Sequence, residues 1–248
     1  MKNVYDNKTF FSAYKSMRDE KVNANNLIEN PIMKNLLPDL TNKRILDLGC
    51  GDGNMDRYFL EKGAIRVVGV DISKNMIELA KKLSKSSRID YKIMSMEDIS
   101  EIEDKFDIVY SSLAFHYVKD FDKLINDINK LLKDDGILIF SQESPLMTAI
   151  TYTNSEQKNK VEIDNKRYYL LSDYAIEGEW CKKWNNVFVT KYHRTFASVV
   201  STLIKNGFQI LDFKDSYATE YAIKMKEKYV SEKDRPMFLF VKAQKINA

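Results

Sequence analysis

A chain of 248 residues with 44 % apolar and 30 % charged residues is ordinary for a globular protein and fits one large α/β domain, or a core plus a modest insertion. The net charge is +3, with basic residues spread among nearly as many acidic ones, which argues against a nucleic-acid surface. Two cysteines (Cys50, Cys181) and two histidines (His116, His193) are too few for a disulfide framework or a histidine-rich metal centre, so no metal is expected.

The N-terminal stretch MKNVYDNKTFF has no apolar signal core, and no run approaches the ~20 apolar residues of a membrane span. A reduced, cytoplasmic protein with no membrane contact is expected. Residues 1–42 are polar apart from Leu27, Ile28, Ile32, Leu36 and Leu37 at helical spacing, where Pro31 breaks or restarts the helix. RILDL, Arg44 to Leu48, is a short apolar run ending at a glycine turn, which predicts a buried strand. Met55, Tyr58 and Phe59 predict a helix. Ile65 to Val70 predicts a second strand, closed by Asp71. Ser73 is a candidate N-cap for a helix carrying Met76, Ile77, Ala80 and Leu83 on one face.

The alternation continues with strands at Tyr91 to Met94, Phe106 to Tyr110 and Ile137 to Phe140. Before the last of these, a helical stripe runs from Phe121 to Leu132 and is stopped by KDDG. Strands alternating with helices over about 100 residues predict a parallel sheet with helices on both faces. From Leu146 to Thr195 the rhythm breaks. This polar, aromatic-rich segment, with Tyr168, Tyr169, Tyr174, Trp180, Trp184, Phe188 and Tyr192, predicts irregular structure or short strands covering something. A helix around Val199 to Ile204 and strands at Phe208 to Phe213 and Met237 to Val241 close the chain. The predicted organisation is an N-terminal helical lid (1–42), a cofactor-binding core (43–145), a cap insertion (146–195) and the C-terminal part of the core sheet (196–248).

Eight glycines serve the whole chain, and three of them stand at 49, 51 and 53. A strand, glycine turn and helix form a ligand site beyond the carboxyl ends of an open α/β sheet. The dinucleotide pattern requires a third small residue at position 54, where this chain has Asn54. It also seats a pyrophosphate at the helix N-terminus, and Asp47 is an odd neighbour for that anion. A ligand with positive charge suits Asp47 better.

ILDLGCGDG followed by VVGVD resembles the class I S-adenosylmethionine-dependent methyltransferases, of the small-molecule type. The likeness extends over MEDI, FDIVYSSLAFHYVKD and LLKDDGILIFS to the closing strands, roughly Lys43 to Lys245. It implies a Rossmann-like, doubly wound, seven-stranded and mostly parallel sheet whose last strand runs antiparallel. Gly49, Cys50, Gly51 and Gly53 would let the backbone approach S-adenosyl-L-methionine. Asp47 would lie near its ammonium, and Asp71 would accept both ribose hydroxyls, as a carboxylate's two oxygens allow. Ile72 and Met76 would sandwich the adenine, with Met76 equally readable as core. The Met96 N–H and the Glu97 side chain would read the adenine edge; Ser95 stands where many relatives have aspartate. Glu97 is also readable as part of a solvated loop. Ser111 would sit beside the methionine part. Tyr14 and Arg18 would close from the lid, or lie on an exposed helix.

Methyl transfer to a sulfonium-activated cofactor needs alignment and water exclusion more than side-chain chemistry. A general base is required only where the acceptor sheds a proton. The candidates implied are His116 after the fourth strand, Glu143 after the fifth, and Tyr192 and His193 in KYHRT. His116 reads equally as a capping or packed side chain, and His193 as a surface partner of Arg194. Three functions stay open: methylation of a small molecule, methylation of RNA or protein, and cofactor binding without turnover. The acceptor atom and the oligomeric state are not encoded in any motif.

Overall fold

The computed structural model describes residues 22–149, 160–184 and 187–247, together with Asp6, Phe11, Ser16 and Glu20. The element order begins with a wide helical turn, Asn25–Glu29, that passes into α1 (Asn30–Leu36) with Pro31 in its first turn, where a missing N–H costs nothing. Then follow β1 (Arg44–Leu48), α2 (Asn54–Glu61), β2 (Arg66–Asp71), α3 (Lys74–Leu83), β3 (Ile89–Ile93), β4 (Phe106–Ser111), α4 (Phe121–Leu131) and β5 (Leu132–Glu143).

These strands and two late ones form one seven-stranded sheet in the order β10-β11-β5-β4-β1-β2-β3, with β10 at Phe208–Asp215 and β11 at Phe238–Lys245. Strands β1 to β5 run parallel, and β11 runs antiparallel to both β5 and β10. Strand β1 is apolar on both faces because helices cover both. Leu46, Leu48, Val109 and Phe140 face α4 and α6 (Phe196–Lys205), which bury Leu124, Ile128, Val199 and Leu203. Ile45, Val67, Ile108 and Ile139 face the opposite layer of Ile32, Met33, Phe59 and Ile77 from α1, α2 and α3.

Helix starts follow their caps. Ser73 accepts the Met76 N–H, Asp120 the Lys123 N–H and Thr195 the Ser198 N–H. The expected start of β5 at Ile137 is too late. Leu132 already pairs with Phe106 while Ile137 pairs with Ile108, so Lys133 to Gly136 form a bulge, with Asp135 at φ 57.

Of the two forms expected for the aromatic-rich segment, its described residues take short strands. It holds a short helix α5 (Pro145–Thr148) and two antiparallel hairpins, β6 (Lys160–Ile163) with β7 (Lys166–Tyr169), and β8 (Gly178–Trp184) with β9 (Val187–His193). His193 therefore ends a strand, and α6 begins three residues later. Among the described residues, no helix is long and apolar enough to cross a membrane.

Candidate functional site

The carboxyl ends of β1, β2 and β4 converge on a cavity of about 500 Å³. Its floor is the glycine turn, and hairpin β8–β9 forms its opposite wall. Gly49, Gly51, Asp71, Ile72, Met76 and Met96 line it, with Glu97 beside them. A Cβ on Gly51 would meet no protein atom within 4 Å and would stand in the cavity. Gly53 answers a different demand: its φ is +71, and a Cβ there would lie 2.1 Å from the Tyr91 hydroxyl.

Asp71 ends β2 and joins the turn to α3. One oxygen accepts the Gly51 N–H at 3.0 Å and the other the Ser73 N–H at 2.8 Å. Each carboxylate oxygen retains a second acceptor position. Burial pushes its pKa up to about 6, against the pull of those two N–H groups. Asp6 reaches the same place: one of its oxygens accepts the Ser73 hydroxyl at 2.7 Å and the Asn75 N–H at 3.2 Å.

Beneath the floor lies a second acidic group. Asp47 and Asp56 are 2 % and 0 % exposed. Asp47 Oδ1 and both carboxyl oxygens of Asp56 are buried with no hydrogen-bond partner among the described residues. Burial, then the Asp56 charge, raises Asp47 well above the usual carboxylate range, and burial pushes Asp56 up to about 7. Gly69 makes the room, since a Cβ there would lie 2.8 Å from Asp56 Oδ2 and 3.0 Å from the Cys50 sulfur. The sequence marks Asp47 and is silent on Asp56.

Several expected site residues lie elsewhere. Asp47, Cys50 and Gly53 support the floor without lining the cavity. Ser111 is buried and donates to the Leu48 carbonyl at 2.7 Å; its neighbours Ser112, Leu113 and Ala114 line the cavity instead. Ser95 and Glu97 do line the cavity; Ser95 also caps the turn Met96–Glu101 by accepting the Glu97 N–H, and Glu97 accepts the Lys119 N–H. Tyr14 and Arg18 lie outside the described residues.

The catalytic candidates separate in the same way. His116 is buried behind the cavity wall, where its Nδ1 accepts the Glu143 N–H at 3.3 Å. Burial pushes its pKa down to about 3, which keeps the ring neutral; Tyr117, its ring tilted by 47° against the imidazole, is the residue that lines the cavity. His193 is also buried. Its Nε2–H donates to the Tyr174 carbonyl at 2.9 Å, and its Nδ1 shares a hydrogen bond with the Thr148 hydroxyl at 2.7 Å. The Nδ1 bond joins α5 to the hairpin and the Nε2 bond ties the end of β9 to the segment before β8, so both ring nitrogens are committed. Glu143 is ion-paired with Lys191 and lies off the cavity. Tyr192 does line it, with Glu179, Cys181, Phe188 and Thr190. Trp180 is 8 % exposed and packs away from it.

Comparison with known proteins gives a consistent picture. Residues 46–140 match the family model described as a methyltransferase domain. An S-adenosylmethionine-dependent methyltransferase of Mesorhizobium loti superposes with a TM-score of 0.80 at 32 % identity, over 88 % of this chain and 97 % of that one. An uncharacterized protein of Haemophilus influenzae is 36 % identical over 98 % of this chain and 97 % of its own length. The ubiquinone biosynthesis O-methyltransferase of Pelagibacter ubique is 38 % identical, with the match spanning 41 % of this chain and 42 % of that protein.

Proposed function

Since this chain belongs to the class I S-adenosylmethionine-dependent methyltransferases, we propose that its cavity seats the cofactor over the glycine turn and hands a methyl group to a small molecule against hairpin β8–β9. The observation that carries the assignment of roles is Asp71. Both its oxygens are fixed by backbone N–H groups, it lines the cavity, and its remaining acceptor positions suit a ribose diol. The open space over Gly51 gives the backbone its approach to the ligand. Ile72 and Met76 supply apolar contact for a base, and Met96 and Glu97 its polar edge. Asp47, below the floor at the end of β1, is the carboxyl assigned to the ligand's ammonium.

When bound, S-adenosylmethionine supplies a sulfonium methyl that an acceptor lone pair takes in line, leaving S-adenosylhomocysteine and, from an O–H or N–H acceptor, a proton that passes to solvent. The chain's own work is positioning and water exclusion. Leu113, Ala114, Val118 and Val189 make the middle of the cavity apolar, and Tyr117, Phe188 and Tyr192 add aromatic faces. Aromatic faces attract a sulfonium as well as a planar acceptor. A small-molecule acceptor is further supported by the likeness to the ubiquinone biosynthesis O-methyltransferase, whose match covers less than half of either chain. Cys50 and Cys181 are free thiols, in keeping with a reduced, cytoplasmic setting.

Incubation of the protein with methyl-labelled S-adenosylmethionine and a whole-cell extract tests the reading. Label in the small-molecule fraction is expected. Label confined to RNA or protein, or none in any fraction despite cofactor binding, contradicts it.

A further inference from the structure

Leu113 has φ +52, a left-handed backbone that a bulky side chain rarely adopts. It stands in the loop after β4, where Ser112, Leu113 and Ala114 all line the cavity. This loop presses on the glycine turn, since a Cβ on Gly49 would lie 2.7 Å from that of Ala114. The Ala114 carbonyl then accepts the Tyr117 N–H at 3.0 Å and so fixes the turn Phe115–Tyr117, which brings the Tyr117 ring to the cavity. A strained residue thus sets the wall around it. Such a conformation persists only where its surroundings over-determine it.

The restraint comes from outside the cavity. The Leu113 N–H donates to the Ser141 carbonyl and to the Ser141 hydroxyl oxygen, each at 3.0 Å. The Ser141 hydroxyl in turn donates to Glu29 Oε1 at 2.7 Å, which leaves its lone pairs for Leu113. The same Glu29 oxygen accepts the Ser112 hydroxyl at 2.7 Å. Glu29 ends the wide helical turn before α1, is 0 % exposed and does not line the cavity. A serine hydroxyl rotates freely when nothing holds its hydrogen. One carboxyl oxygen that takes two such hydrogens fixes both hydroxyls together.

We propose that Glu29 is a positioning residue for the bound cofactor: through Ser112 and Ser141 it holds Leu113 in its left-handed conformation and keeps Ala114 seated on the glycine turn. This rests on the methyl-transfer reading above, which places the cofactor over that turn.

The test is calorimetric titration of the full chain with S-adenosylhomocysteine, at a temperature where melting curves show each variant folded. Glu29→Ala should weaken binding about fivefold or more, and Ser141→Ala about threefold or more, as loss of buried hydrogen bonds requires. The serine variant leaves the Glu29 charge, which acts on Asp47, in place. The double variant should bind within twofold of Glu29→Ala alone, because the two residues are links of one chain. In a Leu113→Gly background, where glycine adopts the left-handed backbone without strain, Glu29→Ala should shift affinity by less than twofold. Amide exchange in the peptide spanning residues 111–117 should quicken in Glu29→Ala while β1 and β2 keep their protection. A merely structural role would lower the melting temperature and quicken exchange throughout, with affinity untouched. Affinity within twofold of wild type in either single variant, losses that multiply in the double variant, or an undiminished loss in the Leu113→Gly background overturns the inference. Should Glu29→Ala not fold, Ser141→Ala with and without Leu113→Gly decides by the same criteria. Failure of the wild-type protein to bind S-adenosylhomocysteine falls instead on the methyl-transfer reading, and this inference goes with it.

Discussion

Asp71 accepts the backbone N–H of Gly51 at 3.0 Å, so the end of β2 holds the turn that follows β1. A single carboxylate thereby shapes the glycine floor and faces the cavity above it. The same economy recurs around the site, where side chains one layer behind the cavity fix those that line it.

The Asp47–Asp56 pair gives the apo protein a distinctive pH response. Both carboxyls are raised by burial, so the folded chain holds protons that the unfolded chain releases near pH 4. Their contribution to stability is present at low pH and is lost as pH rises through about 7. His116 acts in the opposite sense: with its pKa lowered to about 3, its contribution grows as pH rises and is complete above about 6.5. Asp56→Asn removes only the first effect. The melting temperature of the variant relative to wild type should climb between pH 5 and pH 8, by the equivalent of roughly 2 kcal/mol. Parallel profiles would refute the upward shift of Asp56 by burial.

Gly53→Ala should cost about 2 kcal/mol or more in urea unfolding. The left-handed φ strains an alanine, and its Cβ collides with the Tyr91 hydroxyl. Adding Tyr91→Phe removes the collision at 2.1 Å and leaves the ring carbon at 2.7 Å, so partial recovery is expected. Additive losses in the double variant would show that the two residues are not in contact.

Lys191→Met removes one member of an ion pair whose side chains are 9 % and 25 % exposed. Burial pulls the lysine pKa down, but Glu143 and Tyr117 hold it above the ordinary value. With Glu143 partly in reach of water, the expected loss is about 1–3 kcal/mol, less than for a fully buried pair. Cofactor affinity should stay within twofold, since neither residue lines the cavity. A stability unchanged to within ~0.5 kcal/mol contradicts this assignment.

His193→Gln should lower stability by about 1–2 kcal/mol through its bonds to Thr148 and Tyr174. Turnover of an accepted substrate should stay within about threefold at a temperature where the variant is folded. A hundredfold loss of turnover with intact cofactor binding would restore His193 to the chemistry.

The core strands were legible because each is a short apolar run between punctuating residues, and the glycine turn because glycine is so scarce elsewhere in the chain. Asp71 was legible from its place at the end of a second such run. The neighbouring positions were not. Ser111 and Ser112 differ only in which side of β4's end they face, and that is fixed by Leu48 across the sheet. Two rare histidines in expected loops suggested chemistry, yet both are consumed by packing partners 19 to 45 residues away in sequence. The acceptor wall was hidden for a related reason. Glu179 becomes a cavity residue only through its register opposite Tyr192, and the composition of residues 146–195 does not announce a hairpin.

Calorimetric titration with S-adenosylmethionine tests the central claim most directly. Wild-type protein should bind with a dissociation constant in the micromolar range or below. Asp71→Ala, checked for folding, should weaken binding at least tenfold, as loss of charge-assisted hydrogen bonds requires. Asp71→Asn, which keeps one acceptor for the Gly51 and Ser73 N–H groups, should fall between the two. No heat at high micromolar cofactor, or an affinity indifferent to Asp71→Ala, would contradict the account.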